Sequence, residues 1–474
     1  MTKRILLTAL LTATALHAGE RVPVSAKPDS AAKYKGAPSA SPRLLERENW
    51  WSVFGDAGLN RLIEQVDVAN LDAEAALARV EQARAATGVA RSEFFPTIRI
   101  NYSEIRARNS ATQRVPGFPG PIPTSTITTN TLPVDFGYEL DVWGRIRKNV
   151  QAARADADAA LATYDTVILT LRAEVASTWF SLRTLDTQRA ILTATIGLRR
   201  EALDLANQRL NAGIGTDFDV ARAEAEVARA EVELAALAQR RPALENGLAV
   251  LVGKDPSRFH VSDDLAWTSN AKVPSVPPGI PAQLVSRRPD VAAAEHQLAA
   301  ATARIGVARA EFLPTIRLNG QIGLLSGNSD DFFSSDSRTW SFGPTVSVPI
   351  FEGGRLHANL KIAKAVQQET VAHYQQTVLS ATADVETALG ALRALVRRYD
   401  AQTRAETATT RTSKIARDRY KAGTSTYLEV IDAERDLLSA QLTTAATIGE
   451  RLATTVQLIK ALGGGWESLH DKKK

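Results

Sequence analysis

The chain contains the same passage twice, and this limits what it can fold into. Residues 88–101 (GVARSEFFPTIRIN) return as residues 306–319 (GVARAEFLPTIRLN), 218 positions later and with 11 of 14 residues identical. Residues 209–224 (RLNAGIGTDFDVARAE) return as residues 419–434 (RYKAGTSTYLEVIDAE), 210 positions later. Length alone would divide 474 residues into about three domains. A duplication on this scale instead makes one architecture from two equivalent halves. The smaller offset puts about eight extra residues of the first copy between positions 101 and 144, which marks a loop that tolerates length change.

Each copy reads as helix, strand, strand, very long helix, turn, helix. The first helix of each copy meets a proline, Pro96 or Pro314, and the residue before proline disfavours helix. Alternation follows. Ile98, Ile100 and Tyr102 alternate with Arg99 and Asn101, and Ile316, Leu318, Ile322 and Leu324 with Arg317, Asn319 and Gln321. The return strands repeat this, Val134, Phe136, Tyr138, Leu140 and Val142 against Asp135, Glu139 and Asp141, and Trp340, Phe342, Val346 and Val348 against polar or small residues. Period-two alternation over about ten residues is the signature of a membrane barrel strand, apolar towards lipid and polar towards the lumen. Arg99, Asp135, Glu139, Asp141 and Arg317 are then expected in the lumen. Pro344 has no N–H to donate and is expected to mark an interruption or a bulge in its strand. Asn70 and Asp72 are candidate helix caps.

Leu161, Ile168, Val175, Leu182, Ile196, Leu203 and Leu210 recur every seven residues and fail only at Arg189. Val371, Val378, Val385, Leu392 and Tyr399 repeat the seam. Sustained heptads predict two supercoiling helices, each about 65 residues and about 100 Å long. Both end at Ala-Gly, Ala212-Gly213 and Ala422-Gly423. Gly144 and the pair Gly353-Gly354 begin the long helices and read as geometric joints.

The expected organisation is a signal peptide at 1–18, a first repeat at 19–253, a Pro-rich connector at 254–287, a second repeat at 288–464 and a tail at 465–474. In the first repeat, strands are expected at about 97–107 and 131–142, the long helix at about 145–209 and the returning helix at about 218–252. In the second, the strands are at about 315–325 and 339–350, and the helices at about 355–419 and 427–462. The signal reading rests on Lys3 and Arg4, an apolar stretch at 5–16 and the small pair Ala18-Gly19. With no cysteine in the chain, no disulfide and no lipid on Cys is available.

The mature sequence holds no run of 18 apolar residues, so a membrane can be crossed only by strands. Four strands cannot close a barrel, and an open sheet edge is not viable in lipid. Several chains must contribute, and three would supply twelve strands and one helical tube. The fold class is thus an α+β membrane protein built from two internal repeats. A formal charge of +5 without basic blocks among aromatics argues against nucleic-acid binding. The six histidines are scattered, and no nucleophile, nucleotide or metal motif is visible. Neither enzymatic activity nor a cofactor is expected. A soluble periplasmic coiled-coil structural or adaptor protein is the alternative, and it leaves the apolar strands unexplained.

The segments ENWWSVFGDAGLNRLI, LARVEQARA, ELDVWGRIR, SRRPDVAAAEHQLAAATARIGVARAEFLPTIRLNGQIG, GPTVSVPIFEGGRL and RYKAGTSTYLEVIDAERDLLSAQ resemble the outer-membrane efflux proteins of the TolC superfamily, and most of all its NodT branch. The resemblance implies a homotrimer whose twelve-stranded barrel is continuous with a periplasmic helical tunnel. It also implies a periplasmic adaptor and an inner-membrane pump of the resistance-nodulation-division type. Such a channel is a passive exit for small molecules. Many relatives carry a lipobox, whereas this chain has Leu16-His17-Ala18-Gly19 there, so no lipid anchor is expected. Glu429 and Asp432 match the family's acidic ring at the periplasmic gate. Tyr420 matches a tyrosine that latches neighbouring hairpins, Asp219 matches its acidic partner, and Ser425 stands where some relatives have the latch arginine.

Overall fold

A computed structural model describes residues 49–108, 110, 125–267, 273–276 and 287–464. The expected signal segment, most of the first hairpin loop, much of the Pro-rich connector and the tail lie outside these residues.

The first repeat opens with a short 3-10 turn, Trp50–Phe54. It continues through α1 (Ala57–Ala69), α2 (Leu71–Ser92), β1 (Thr97–Ile100), β2 (Ser103–Arg108), β3 (Thr126–Glu139), α3 (Arg145–Asn211) and α4 (Asp217–Leu251). The second runs through α5 (Pro289–Ala310), β4 (Thr315–Ser326), β5 (Arg338–Ser347), α6 (Arg355–Lys421) and α7 (Tyr427–Ala461). Duplication is visible in the lengths: α2 and α5 have 22 residues each, α3 and α6 have 67, and α4 and α7 have 35.

Local chemistry sets the boundaries. The Asp56 carboxylate caps α1 by accepting from the amides of Gly58 and Leu59 at 2.8 and 3.0 Å. Asn70 caps α2 in the same way through Asp72 and Ala73, and its side-chain amide donates to the Leu251 carbonyl at 2.7 Å. Both long helices stop in the same motif. Gly213 and Gly423 take left-handed φ of 73° and 72°. Their amides and those of the next residues turn back onto Leu210 and Arg209, and onto Tyr420 and Arg419.

Two compact units emerge: Met1–Glu74 with Asp165–Ala292 and Val371–Lys474, and Ala75–Tyr164 with Ala293–Thr370. Among its described residues, the first has helices and no strand. Its core joins Trp50, Trp51, Phe54, Leu59 and Ile63 to Val175, Trp179, Phe180 and Leu182 of α3, Leu248 of α4 and Leu452, Val456 and Ile459 of α7. Of these α3 residues, Val175 and Leu182 lie on the expected seam, and Trp179 and Phe180 lie outside it. Where the seam fails, Arg189 pairs with Asp263 at 3.0 Å beside a fully buried Asp186, which accepts from Arg183 at 2.7 Å and Arg241 at 3.3 Å.

The second unit holds the sheet. All its strands are antiparallel, in the order β1–β3–β4–β5, with β2 also on β3. β1 and β2 keep one register against β3, so together they form one strand's width. The ladder lapses at Asn101 and Tyr102, opposite Pro133, which has no N–H to give. Gly323 faces Pro133 from the other side, and a Cβ there would sit 2.3 Å from the Leu132 carbonyl oxygen.

Two expectations need correcting. Pro344 does not interrupt β5, whose pairing with β4 passes through Pro344↔Leu318. β5 is an edge strand of this sheet, the position where a proline is tolerated. The second strand begins at Thr126, five residues before expected, because the polar but β-branched Thr126-Ile127-Thr128-Thr129 pairs with β2. It ends at Glu139, so Asp141 lies beyond the strand.

Candidate functional site

Register assigns the two faces of the sheet, since cross-strand partners share a face. One face carries the rows Ile98–Phe136–Gly320–Phe342 and Ile100–Val134–Ile322–Trp340, with Leu318, Leu324, Tyr138 and Val346. Phe342 is 67% exposed and Trp340 79%. Ile316 to Leu324 covers eight steps of β4, about 27 Å along the strand, close to the apolar band of a membrane barrel.

The opposite face carries Arg99, Asp135, Gln321, Asn319, Glu139, Arg317 and Thr345. Asp135 accepts from the side-chain amides of Asn101 and Gln321, both at 3.1 Å. Glu139 binds Arg317 at 3.3 Å and Arg145 at 2.8 Å, and Arg145 also holds Glu93 at 2.7 Å. Four of the five expected lumen residues, Arg99, Asp135, Glu139 and Arg317, thus share the polar face. The fifth, Asp141, is engaged otherwise: its carboxylate accepts from the Ile146 and Arg147 amides, both at 3.0 Å, at the start of α3.

The candidate gate lies where α3 turns into α4 and α6 into α7. Glu429 and Asp432 are exposed, one turn apart on α7. Neither sits in a purely acidic setting. Arg419 reaches Glu429 at 3.4 Å, and Asp432 lies one turn before Arg435 and adds to the field that keeps Arg435 charged.

Asp219 and Tyr420 have different partners within the chain. The Asp219 carboxylate accepts from the Thr216 hydroxyl at 2.8 Å, and its amide donates back to that hydroxyl at 3.2 Å, closing the start of α4. Tyr420 is buried against Tyr427, with ring centroids 5.3 Å apart. The Arg209 guanidinium lies 4.6 Å from the Tyr420 ring centroid, and its Nη1 donates to the Tyr420 carbonyl at 3.1 Å. Sequence reasoning missed Arg209, although it occupies the same place in the first repeat as Arg419 in the second.

It also missed a carboxylate hub. Glu226 of α4 is buried and takes Arg435 of α7 in a two-pronged bond, with Arg229 at 2.6 Å and Arg199 at 3.5 Å. Burial opposes its ionisation, but Arg435, Arg199 and Arg229 together hold the carboxyl below its ordinary value. Glu434, one turn from Val430, has the opposite fate. Burial pushes it up, and Arg417 at 3.7 Å and Arg199 offset this only in part. Burial, with Glu434 second, also raises the Tyr427 phenol. No periodicity announces the hub, because Ala225 and Asp436 occupy the counterpart positions of Arg435 and Glu226.

With this geometry established, comparison with known proteins is direct. The family model for "Outer membrane efflux protein" matches residues 62–254 and 280–464. The solvent efflux pump outer membrane protein SrpC of Pseudomonas putida is 34% identical over 415 residues, 87% of this chain and 86% of that protein. The pyoverdine export outer membrane protein OpmQ of Pseudomonas putida is 32% identical over 437 residues, 91% of each chain. Among solved structures, the outer-membrane channel OprN superposes with a TM-score of 0.82 at 31% identity, covering 93% of this chain and 98% of that one. The fold is that of an outer-membrane channel. This chain belongs to the outer membrane efflux protein family.

Proposed function

We propose that three copies of the chain close a twelve-stranded barrel in the outer membrane, β5 of each pairing with the β1–β2 edge of the next. The helices form a tunnel in the periplasm. The assembly is the passive exit duct of a tripartite efflux system, joined to a periplasmic adaptor and an inner-membrane pump of the resistance-nodulation-division type. The observation that carries this is the sheet. It has an exposed apolar face, a polar face opposite and an unpaired edge on each side, and lipid tolerates no open edge. A soluble coiled-coil protein would have no use for such a face. An N-terminal signal exports the chain, and strands rather than a lipid hold it in the membrane. It is a conduit and not an enzyme.

Glu429 and Asp432 form the gate, three pairs of carboxylates around one axis, and Asp219 and Tyr420 latch neighbouring hairpins. Their place at the hairpin ends supports this, as does Arg209, which fixes Tyr420. Arg99, Asp135, Glu139 and Arg317 line the lumen. Relatives are named for solvent efflux and for pyoverdine export, cargoes of unrelated chemistry, which fits a duct that takes whatever its pump delivers.

The test is extraction and mass. Washed envelopes should release the protein only with detergent, and the solubilised particle should weigh three chains. Release by salt alone, or a monomer in detergent, would overturn the reading.

A further inference from the structure

The apolar face of the sheet does not stay apolar to the end of its strands. Within the sheet unit, helices join the sheet at the end of Thr97, Glu139, Thr315 and Ser347, and the hairpin loops leave from the other end. Towards that loop end the face changes character. The row Leu132–Leu324 ends at Arg338 on β5. The next row is Glu104–Asn130–Ser326, and beyond it come Arg106–Thr128 and Arg108–Thr126.

Because β1 and β2 share one register against β3, Arg106 and Arg108 lie on the same face as Ile98 and Ile100. They face away from the polar wall that bears Arg99. Arg106, Arg108 and Arg338 are all exposed, and no ion pair among the described residues involves them. Glu104 is the one acid among these face positions, and the Tyr102 hydroxyl contacts it at 3.4 Å and Asn130 at 3.3 Å. Tyr102 and the 79% exposed Trp340 lie just inside the arginines on the same face. Aromatic residues at the rim of an apolar band mark the depth where lipid headgroups begin.

Guanidinium groups that face lipid at headgroup depth need anions there, and phosphate suits their planar fork. We propose that Arg106, Arg108 and Arg338 form a binding site for the phosphate groups of the phosphorylated glycolipid, lipid A, in the outer leaflet. The proposal rests on the reading of the sheet as part of a barrel. If β5 pairs with the β1–β2 edge of a neighbouring copy, Arg338 of one copy and Arg106 and Arg108 of the next lie on adjacent strands. The complete site then straddles the junction between two chains, and the bound lipid staples it.

The test measures thermal stability of the detergent-purified full chain with added doubly phosphorylated lipid A. It compares wild type with Arg106→Ser, Arg108→Ser, Arg338→Ser and the triple variant. Each arginine beside an anionic lipid surface contributes about fivefold, so the triple variant should need roughly a hundredfold more lipid A for the same shift. The polar-face control Arg99→Ser should respond as wild type does. Dephosphorylated lipid A and inorganic phosphate should stabilise neither protein. An equal response of wild type and triple variant, or an equal effect of dephosphorylated lipid A, would overturn the proposal, as would stabilisation by inorganic phosphate at matching concentration. Conductance of the same wild-type preparation separates the two failures. Pores without a lipid A effect refute only this site, and the absence of pores refutes the channel reading beneath it.

Discussion

Arg209 of the first hairpin stacks on Tyr420 of the second, 4.6 Å from guanidinium to ring centroid, and donates to the Tyr420 carbonyl at 3.1 Å. Its counterpart Arg419 stays within its own hairpin and pairs with Glu429. One duplicated arginine therefore makes two different contacts, one between hairpins and one with Glu429 of its own hairpin.

Arg209→Ala removes a stacked cation and a charged hydrogen bond, together about 1–2 kcal/mol. The variant should show a larger mean conductance and more frequent open events in planar bilayers, with Arg209→Lys in between. Traces identical to wild type would mean that this contact does not restrain the tip.

Glu226 and Glu434 give the tip opposite responses to pH. The Glu226 carboxyl titrates lower when folded, so its contribution is present above the unfolded value, about 4.3, and fades as pH falls through the folded one. The Glu434 carboxyl titrates higher when folded, so its packing is most favourable below about 4.3 and weakens as pH rises through the raised value. Thermal melts of the helical signal at several pH values should show Glu434→Gln stabilised relative to wild type near neutrality, with the advantage lost in acid. Glu226→Gln should lose about 2 kcal/mol at neutrality and respond less to acid. A pH-independent offset in both variants would contradict the assignment.

The two long helices were legible from their heptads: Val175 and Leu182 lie seven residues apart and Ile196 two heptads further on, and all three are buried. Their ends were legible because Ala-Gly at 212–213 and 422–423 supplies the left-handed residue a helix stop needs. The paired lengths followed from the duplication. What escaped was what depends on register or on contacts between distant helices. Pro344 looked like the disruptive proline, yet Pro133 is the one that interrupts a ladder, because it lies on β3, paired on both sides. Asp141 follows the alternation of its strand but is taken by the N-terminus of α3. The Glu226–Arg435 pair joins residues 209 positions apart with no repeat to announce it.

Gly323 is a backbone-contact glycine. A methyl group there would meet the Leu132 carbonyl at 2.3 Å and Pro133 Cα at 2.7 Å. Gly323→Ala should weaken β3–β4 pairing and lower the yield of membrane-inserted protein, read as loss of the heat-modifiable band on gels. Normal assembly would mean that the strands can separate there at little cost.

The two faces can be tested with one residue type. Phe342→Arg places a charge in the middle of the apolar face and should cost about 2–4 kcal/mol in a bilayer, whereas Ser341→Arg on the polar face should be nearly neutral. Refolding into lipid vesicles under denaturant titration reads both. The reverse order would invert the assignment of lipid and lumen.

The central claim is that this chain forms a pore closed at the ends of its helical hairpins, and single-channel recording in planar bilayers tests it most directly. The purified protein should conduct in small steps at rest, and the double change Glu429→Ala with Asp432→Ala should alter both conductance and cation preference. An absence of steps from correctly assembled protein, or a double variant indistinguishable from wild type, would contradict the account, the first for the pore and the second for the gate.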